Sequence, residues 1–463
     1  MKQIYTILLM LSLSFIYAQT QVSGTQSGTW NTAGSPYQVT GDITIPSGQV
    51  LNIEAGVEVN FQGHYKMEVA GQIIANGTDT DGIIFTATDH NTGWNGIRIA
   101  GSSAISEFHY CHFEYGIKSG SNYEDMNGGA IFINNADAQF YNCIFTDNEA
   151  NGSNDDGMGG AVYAINTGGV NQSLTKFIDC KFEGNSTAAE GGAVKLTNDA
   201  NSEFTRCEFI NNNAGYGGGA LMIYVGEGTT FTNCLFYLNS SNNSGGGAIK
   251  TLQTQSSLAF ANCTFAYNSA FGYAEGGACD FSYADVVFVN SIIYGNSQQY
   301  GKDINVGMGA SATINYCDLD MPDTATGNNN LDNVDPLFVN ISQADFHLQG
   351  NSPCIDAGVD IGLPYNGNAP DLGCYEYGVS AVENIEETVF KLFPNPVVDQ
   401  LYIQLHTMDS GHLYIENING QIVLFETLNR TEAQIDLSKL SPGVYVVTIY
   451  TPEGVFSRKI IKK

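Results

Sequence analysis

Three charged side chains recur at one register of this sequence. Lys195, Lys250 and Asp280 each stand four residues after the first glycine of a Gly-Gly-Ala triplet, and the same register elsewhere holds Phe132, Tyr163 and Met222. A lysine and a second cation on one face are what elimination next to a carboxylate requires, an amine to take the α-proton and a charge to stabilise the enolate. Lys250 as base, Lys195 or Arg206 as the cation, and Asp280 beside them form the candidate catalytic set. Phe132 and Tyr163, with the loop residue Tyr216, are candidate stacking surfaces for sugar rings. Asp155, Asp156 and Glu190 lie in loops ahead of the triplets, and successive acidic loops have the oxygen chemistry to share a Ca²⁺. The plainer reading of those acids is a solvated rim with no cofactor. Only nine basic residues fall between residues 19 and 381, scattered along the chain.

The element that must position these side chains is a repeat. A cysteine column runs through Cys111, Cys143, Cys180, Cys207, Cys234, Cys263, Ser291 and Cys317, and the triplets start at Gly128, Gly159, Gly191, Gly218, Gly246 and Gly276. Two columns that stay in step at a period near 27 residues mean a solenoid. Within each unit the apolar positions alternate, as in Ile131 and Ile133 or Val194 and Leu196, which is the period of strands. Phenylalanine columns sit three residues before and two after the cysteine. Three short strands per turn predict an all-β fold, a right-handed parallel β-helix of about ten coils stacked at roughly 4.8 Å. The asparagine columns, Asn142, Asn233, Asn262 and Asn290 before the cysteines and Asn148, Asn185, Asn212, Asn239, Asn268 and Asn296 after them, suit bends and amide ladders.

Residues 1–18 carry Lys2 and an apolar run ending at Ala18, followed by Gln19, which reads as a signal peptide cut between those two. No later run is long and apolar enough to be a transmembrane helix. The formal charge of −30 argues against nucleic acid and anionic lipid as partners. Most of the ten cysteines occupy inward columns and read as small core hydrophobes. Residues 19–110 form less regular capping coils, with Val57, Val59 and Phe61 and then Ile83, Ile84 and Phe85 as inward sets; regular repeats fill 111–333.

The opening segment, with GDITIPSG, IEAGVEVNFQG and GWNGI, resembles that of exported bacterial right-handed β-helix proteins that use type IX secretion. Pectin-degrading β-helices place their cleft over an outer sheet face, which directs attention to the register of Tyr163, Lys195, Lys250 and Asp280. The paired aspartates and Gly-His-Gly loop of polygalacturonase-like enzymes are not recognisable. DPLF, DFHLQGNSPCIDAG and PDLGCYEYG, within residues 334–378, resemble the end module of the choice-of-anchor Q group. In that pattern the positions of Cys354 and Cys374 are usually small and not both cysteine, so a Cys354–Cys374 disulfide is expected here. After a linker at 379–389, residues 390–463 resemble the type A sorting domain of type IX secretion, a small β-sandwich. Phe393, Pro394, Asn395 and Pro396, then Gly443 and Tyr445 in LSPGVY, then Lys459, Lys462 and Lys463 in the terminal KIIKK carry that resemblance. It implies recognition by the type IX translocon and a surface sortase, and a destination outside the cell or on the outer-membrane surface. The expected function is binding of a glycan or another surface, as adhesin or envelope component. A polysaccharide lyase or glycosidase on the same scaffold is the alternative.

Overall fold

Left-handed backbone at one residue per corner turns the chain from strand to strand. The residue before each position of the cysteine column has positive φ, at Tyr110, Asn142, Asp179, Arg206, Asn233, Asn262, Asn290 and Tyr316, with values between 48° and 54°. Asparagine tolerates that region best among residues with a side chain, which explains the column. The computed structural model describes residues 19–463 except 119–122, 152–155, 168–173, 199–200, 225–227, 253–255, 379–389, 394–396, 406–410, 418–421, 429–431, 442 and 452–453. The signal segment with Ala18 and the linker thus lie outside the described residues. Two compact units emerge, one covering nearly all of the chain to Tyr377 and the other spanning Gly378–Lys463.

The first unit is a parallel β-solenoid whose strands form sheets of 22, 11 and 7 members. The 11-stranded sheet carries the phenylalanine strands, from Gly28–Trp30 to Ser311–Asn315. Cysteine strands such as Cys111–Glu114 and Ile144–Thr146, and glycine strands such as Ile131–Asn134 and Val162–Ile165, form two ladders of the largest sheet. The two ladders meet in Tyr37–Ile45, whose first half pairs with Glu58–Phe61 and whose second half pairs with Met67–Val69. The coils on either side of residue 110 therefore share the same ladders. Val57, Val59, Phe61, Ile83 and Phe85 are buried, but Ile84 is exposed, because alternation turns it outward between its two neighbours.

Inside, like stacks on like. Phe108, Phe140, Phe177, Phe204 and Phe231 stack with ring centroids 4.9–5.0 Å apart. Phe145, Phe182, Phe209 and Phe236 repeat this at 4.7–4.8 Å. Each stacked pair contributes about 0.5–1.5 kcal/mol beyond the area it buries. The thiols of the cysteine column sit in the core and reach carbonyls, Cys207 Sγ lying 3.2 Å from the Phe177 oxygen. At the next corner Asn148, Asn185, Asn212, Asn239 and Asn268 are fully buried, and each donates an amide hydrogen to the next asparagine at 2.9–3.0 Å. The second amide hydrogen bonds a phenylalanine carbonyl, as Asn212 does to Phe182 at 2.9 Å. No buried polar atom in that ladder is wasted, so its cost is offset at every rung.

The closing module does not simply follow the last coil. Phe338, Phe346, Leu348, Cys354, Leu372 and Cys374 pack against the outer side chains of the cysteine strands, Ile210, Leu235, Tyr237, Ala266 and Ile292. Tyr237 donates to the Ile341 carbonyl at 3.0 Å, and the Cys374 amide donates to Thr264 Oγ1 at 3.0 Å. This geometry overturns the expected disulfide: Cys354 and Cys374 are both free. Cys354 lies beside Asp318, whereas Cys374 sits beside Thr264. Thr264 is joined to Asp318 only through Ile292, so the two anchors are two rungs, roughly 10 Å, apart. The two cysteines thus sit against different rungs of the ladder, and neither is bonded to the other.

The second unit has a three-stranded and a four-stranded antiparallel sheet. Leu401, Ile403 and Ile435 from the first meet Leu413, Ile415, Val447, Ile449 and Ile460 from the second, with Val397 beside them, in one core. Phe393 ends the strand Phe390–Phe393, and Gly443 begins Gly443–Thr451, where Tyr445 donates to the Ser441 carbonyl at 2.8 Å. Lys459 and Lys462 lie in Gly454–Lys462; the Lys462 side chain is buried, with Nζ 3.6 Å from Asp399, and Lys463 is exposed. Pro394, Asn395 and Pro396 lie outside the described residues. Among the described residues no helix is long and apolar enough to cross a membrane.

Candidate functional site

The glycine strands align the expected residues in one row. Glu68, Arg98, Phe132, Tyr163, Lys195, Met222, Lys250, Asp280 and Asn305 are successive partners across the ladder. Lys195 and Lys250 are two rungs apart with Met222 between them, as the repeat predicts. Glu68 at its start is exposed, but its middle, from Phe132 to Met222, is sealed. Phe132, Tyr163 and Lys195 are at most 2% exposed, and Asp280 is 8% exposed. The cause is the Gly-Gly turn. At Gly218 φ is +66°, and a β-carbon there would meet the Leu221 carbonyl oxygen at 2.1 Å; at Gly219 it would meet the Gly247 oxygen at 2.0 Å. Only glycine allows the loop to double back that tightly. The returning loops then lie on the outward side chains.

The candidates on this row are engaged by partners under those loops. Lys195 is ion-paired with Glu190, and burial holds its pKa below the usual lysine range. Lys250 Nζ is 2.6 Å from Asp280 and 2.8 Å from Ser244 Oγ, and Asp280 also accepts from Asn305 at 2.8 Å. Tyr163 bonds the Tyr123 hydroxyl, and Phe132 packs with Tyr163 and Ile165. Lys250 and Lys195 are therefore held in ion pairs, and the rings of Phe132 and Tyr163 are packing. Arg206 is elsewhere, at a corner, held by Asp179 at 2.6 and 2.8 Å. Of the calcium candidates, Asp155 lies outside the described residues, Asp156 is exposed and Glu190 is paired with Lys195. Among the described residues no three metal-ligating side chains converge.

The basic residues do cluster at one place, contrary to their scatter in sequence. Arg98 is paired with Asp125, which also lies 3.7 Å from Lys66. Fully buried Lys118 donates to the Asn95 carbonyl at 2.6 Å, and Arg98 donates to the same oxygen at 2.5 Å. Burial, then the charge of Arg98, holds the Lys118 pKa far below the lysine range. Lys118 takes the rung that Ala150, Thr187, Ala214 and Ser241 fill in later coils. A lysine heading an otherwise small-residue column was the signal available in the sequence.

Tyr216 stays outside, 55% exposed, on the loop edge, and Phe271 and Tyr300, in the strands Ser269–Glu275 and Ser297–Tyr300 of later coils, are 54% and 50% exposed. A second open feature lies on the opposite side of the cysteine strands. Its row runs Ile84, His112, Ile144, Lys181 and Glu208 before the closing module covers it from Leu235 onward.

Comparison with known families decides the destination. Residues 391–463 match the family described as secretion system C-terminal sorting domain. The chain carries a type IX secretion address. It is secreted, and either attached to the cell surface or released, through interaction with that secretion system. Residues 24–134 match the pectate-lyase like beta helix domain, in keeping with the solenoid. Neither match reaches residues 334–378, where the sequence resembles choice-of-anchor Q. The comparisons with curated proteins and with solved structures give no match.

Proposed function

We propose that this exported solenoid binds an extended glycan along its loop edge, as a surface or released binding protein. One observation carries the reading: Tyr216, Phe271 and Tyr300 keep half or more of their surface in solvent along one edge of the solenoid, Tyr216 two coils before Phe271 and Tyr300 one coil after it. Tyr216 is fixed by its amide, which donates to the Ala189 carbonyl at 2.7 Å, and Tyr300 pairs in register with Glu275. Exposed Asn242 and Asn243 stand on the loop between Tyr216 and Phe271 and supply amide donors and acceptors. Rungs spaced about 4.8 Å apart approximate the length of one pyranose unit in an extended β-linked chain. Catalysis is the weaker reading, because both candidate lysines are in ion pairs beneath loops.

The test is retention of the mature chain on insoluble polysaccharides, following reducing ends and unsaturated-product absorbance in the same samples. Tyr216→Ala with Phe271→Ala is expected to lower retention at least about tenfold, without new chain ends. Undiminished retention would remove the loop edge as the site. New chain ends would replace binding by catalysis.

A further inference from the structure

An open groove of about 530 Å³ lies along the corner between the phenylalanine and cysteine strands, on a different face from the loop edge. Its wall is the corner column, Tyr110, Asn142, Asp179 and Arg206, and its floor is the outward row, His112, Ile144, Lys181 and Glu208. It therefore spans four coils, or three rung spacings, roughly 14 Å. Both ends are closed. The loop carrying Thr78 and Asp79 bounds one end, and at the other the closing module places the Tyr375 hydroxyl 3.0 Å from Glu208.

The chemistry of the lining selects a ligand class. Lys181 and Arg206 stand against Asp79, Asp179 and Glu208, so the charged groups cancel to within one negative charge. Both cations are already engaged, Arg206 in its two-pronged pair with Asp179 and Lys181 at 2.8 Å from Glu183. A polyanion would gain little here, in a chain of net charge −30. A neutral polyhydroxyl ligand meets fixed carboxylate acceptors, guanidinium, ammonium and amide donors, and an apolar platform in Ile144, which is 40% exposed. We infer that this corner groove is a second binding site, for a neutral oligosaccharide segment of about three pyranose units. It is independent of the loop edge, and neither site requires the other.

The experiment is calorimetric titration of the full mature chain with neutral oligosaccharides of two to five units from cellulose, xylan and chitin, and with trigalacturonate. Affinity for one neutral series should rise about tenfold or more from two units to three and then level, with trigalacturonate at least about tenfold weaker. Ile144→Asp should lower the affinity about tenfold or more at unchanged melting temperature, and Lys181→Ala should weaken it less. Tyr216→Ala, which alters only the loop edge, should leave the component of the heat that Ile144→Asp removes unchanged. No saturable heat with any neutral trisaccharide, equal or tighter binding of trigalacturonate, or loss of binding in Tyr216→Ala but not in Ile144→Asp would each overturn the assignment.

Discussion

The outer faces of the glycine strands and the cysteine strands begin as equivalents, since both turn alternate side chains away from the same core. They end differently. The glycine face is roofed coil by coil by the loop just before each strand, so Phe132, Tyr163 and Lys195 are as buried as core residues. The cysteine face has only tight corners beside it, so it stays open until residues far downstream fold back over its second half. Outward and exposed are thus separate properties. The first is set by strand alternation and the second by what the neighbouring loops can reach.

The sharpest contrast within one row is Leu235 against Ile144. They are three rungs apart on the same outward register, yet Leu235 is 2% exposed beneath the closing module and Ile144 is 40% exposed. Leu235→Asp should cost several kcal/mol, because it buries an unpaired carboxylate. Ile144→Asp should stay within about 0.5 kcal/mol of the parent. Denaturant unfolding of both variants measures the difference, and equal costs would mean that the module does not cover the face. On the glycine face, Asp280→Ala removes one partner of an ion pair whose side chains are 11% and 14% exposed, and a loss of about 3 kcal/mol is expected. A loss under about 0.5 kcal/mol would show that the loops do not seal the row.

The fold was legible because stacking makes each rung restate the last. Cys-x-Phe, the asparagine columns and the Gly-Gly-Ala triplets predict strands, corners and ladder in register, and the sorting signals stand at Phe393, Gly443 and Lys462. The site was less legible for reasons that sequence periodicity does not contain. Lys250 and Lys195 read as base and cation because periodicity places them on one outer row, but it does not show Ser244 and Glu190 returning over them. Cys354 and Cys374 look like a pair because both stand where the choice-of-anchor Q pattern usually has small residues, whereas the module sets one against Asp318 and the other against Thr264. The groove at Tyr110 and Ile144 has no motif at all, since it is defined by where the closing module stops. Under denaturing, non-reducing alkylation, ten thiols should react; eight would restore the disulfide.

A comparison in pH separates the end of the solenoid from its middle. Burial raises the carboxyl pKa of Asp318 to about 6, with Asp332 and Asp335 adding to the shift and the Val334 amide opposing it. Asp303 is raised to about 6 in the same way. Each folded-state pKa lies above the unfolded value, so the native state binds more protons between about pH 4 and 6. Their contribution is fully present below pH 4 and is lost as pH rises through 6. His112, near the middle, has the opposite sign: burial lowers its pKa, so its contribution is lost as pH falls below 6.5. The melting temperature of the parent minus that of Asp318→Asn should therefore rise on acidification from pH 7.5 to 5. A flat difference would place Asp318 in water.

The smallest stability effect belongs to the loop edge. Tyr216 is more than half exposed and its side chain supports no part of the core, so Tyr216→Ala should change the unfolding free energy by less than about 0.5 kcal/mol. Phe132→Ala, at a ring whose register also suits stacking but which is buried, should cost about 3–5 kcal/mol because it empties a filled site. The two substitutions remove similar rings from the same strand-and-loop face. If Tyr216→Ala weakens glycan retention while Phe132→Ala only destabilises, recognition lies in the loops that roof the row and not in the row beneath them. If both leave retention intact, stacking on this face is not how the protein holds its ligand, and the open corner on the other face is left to carry the binding.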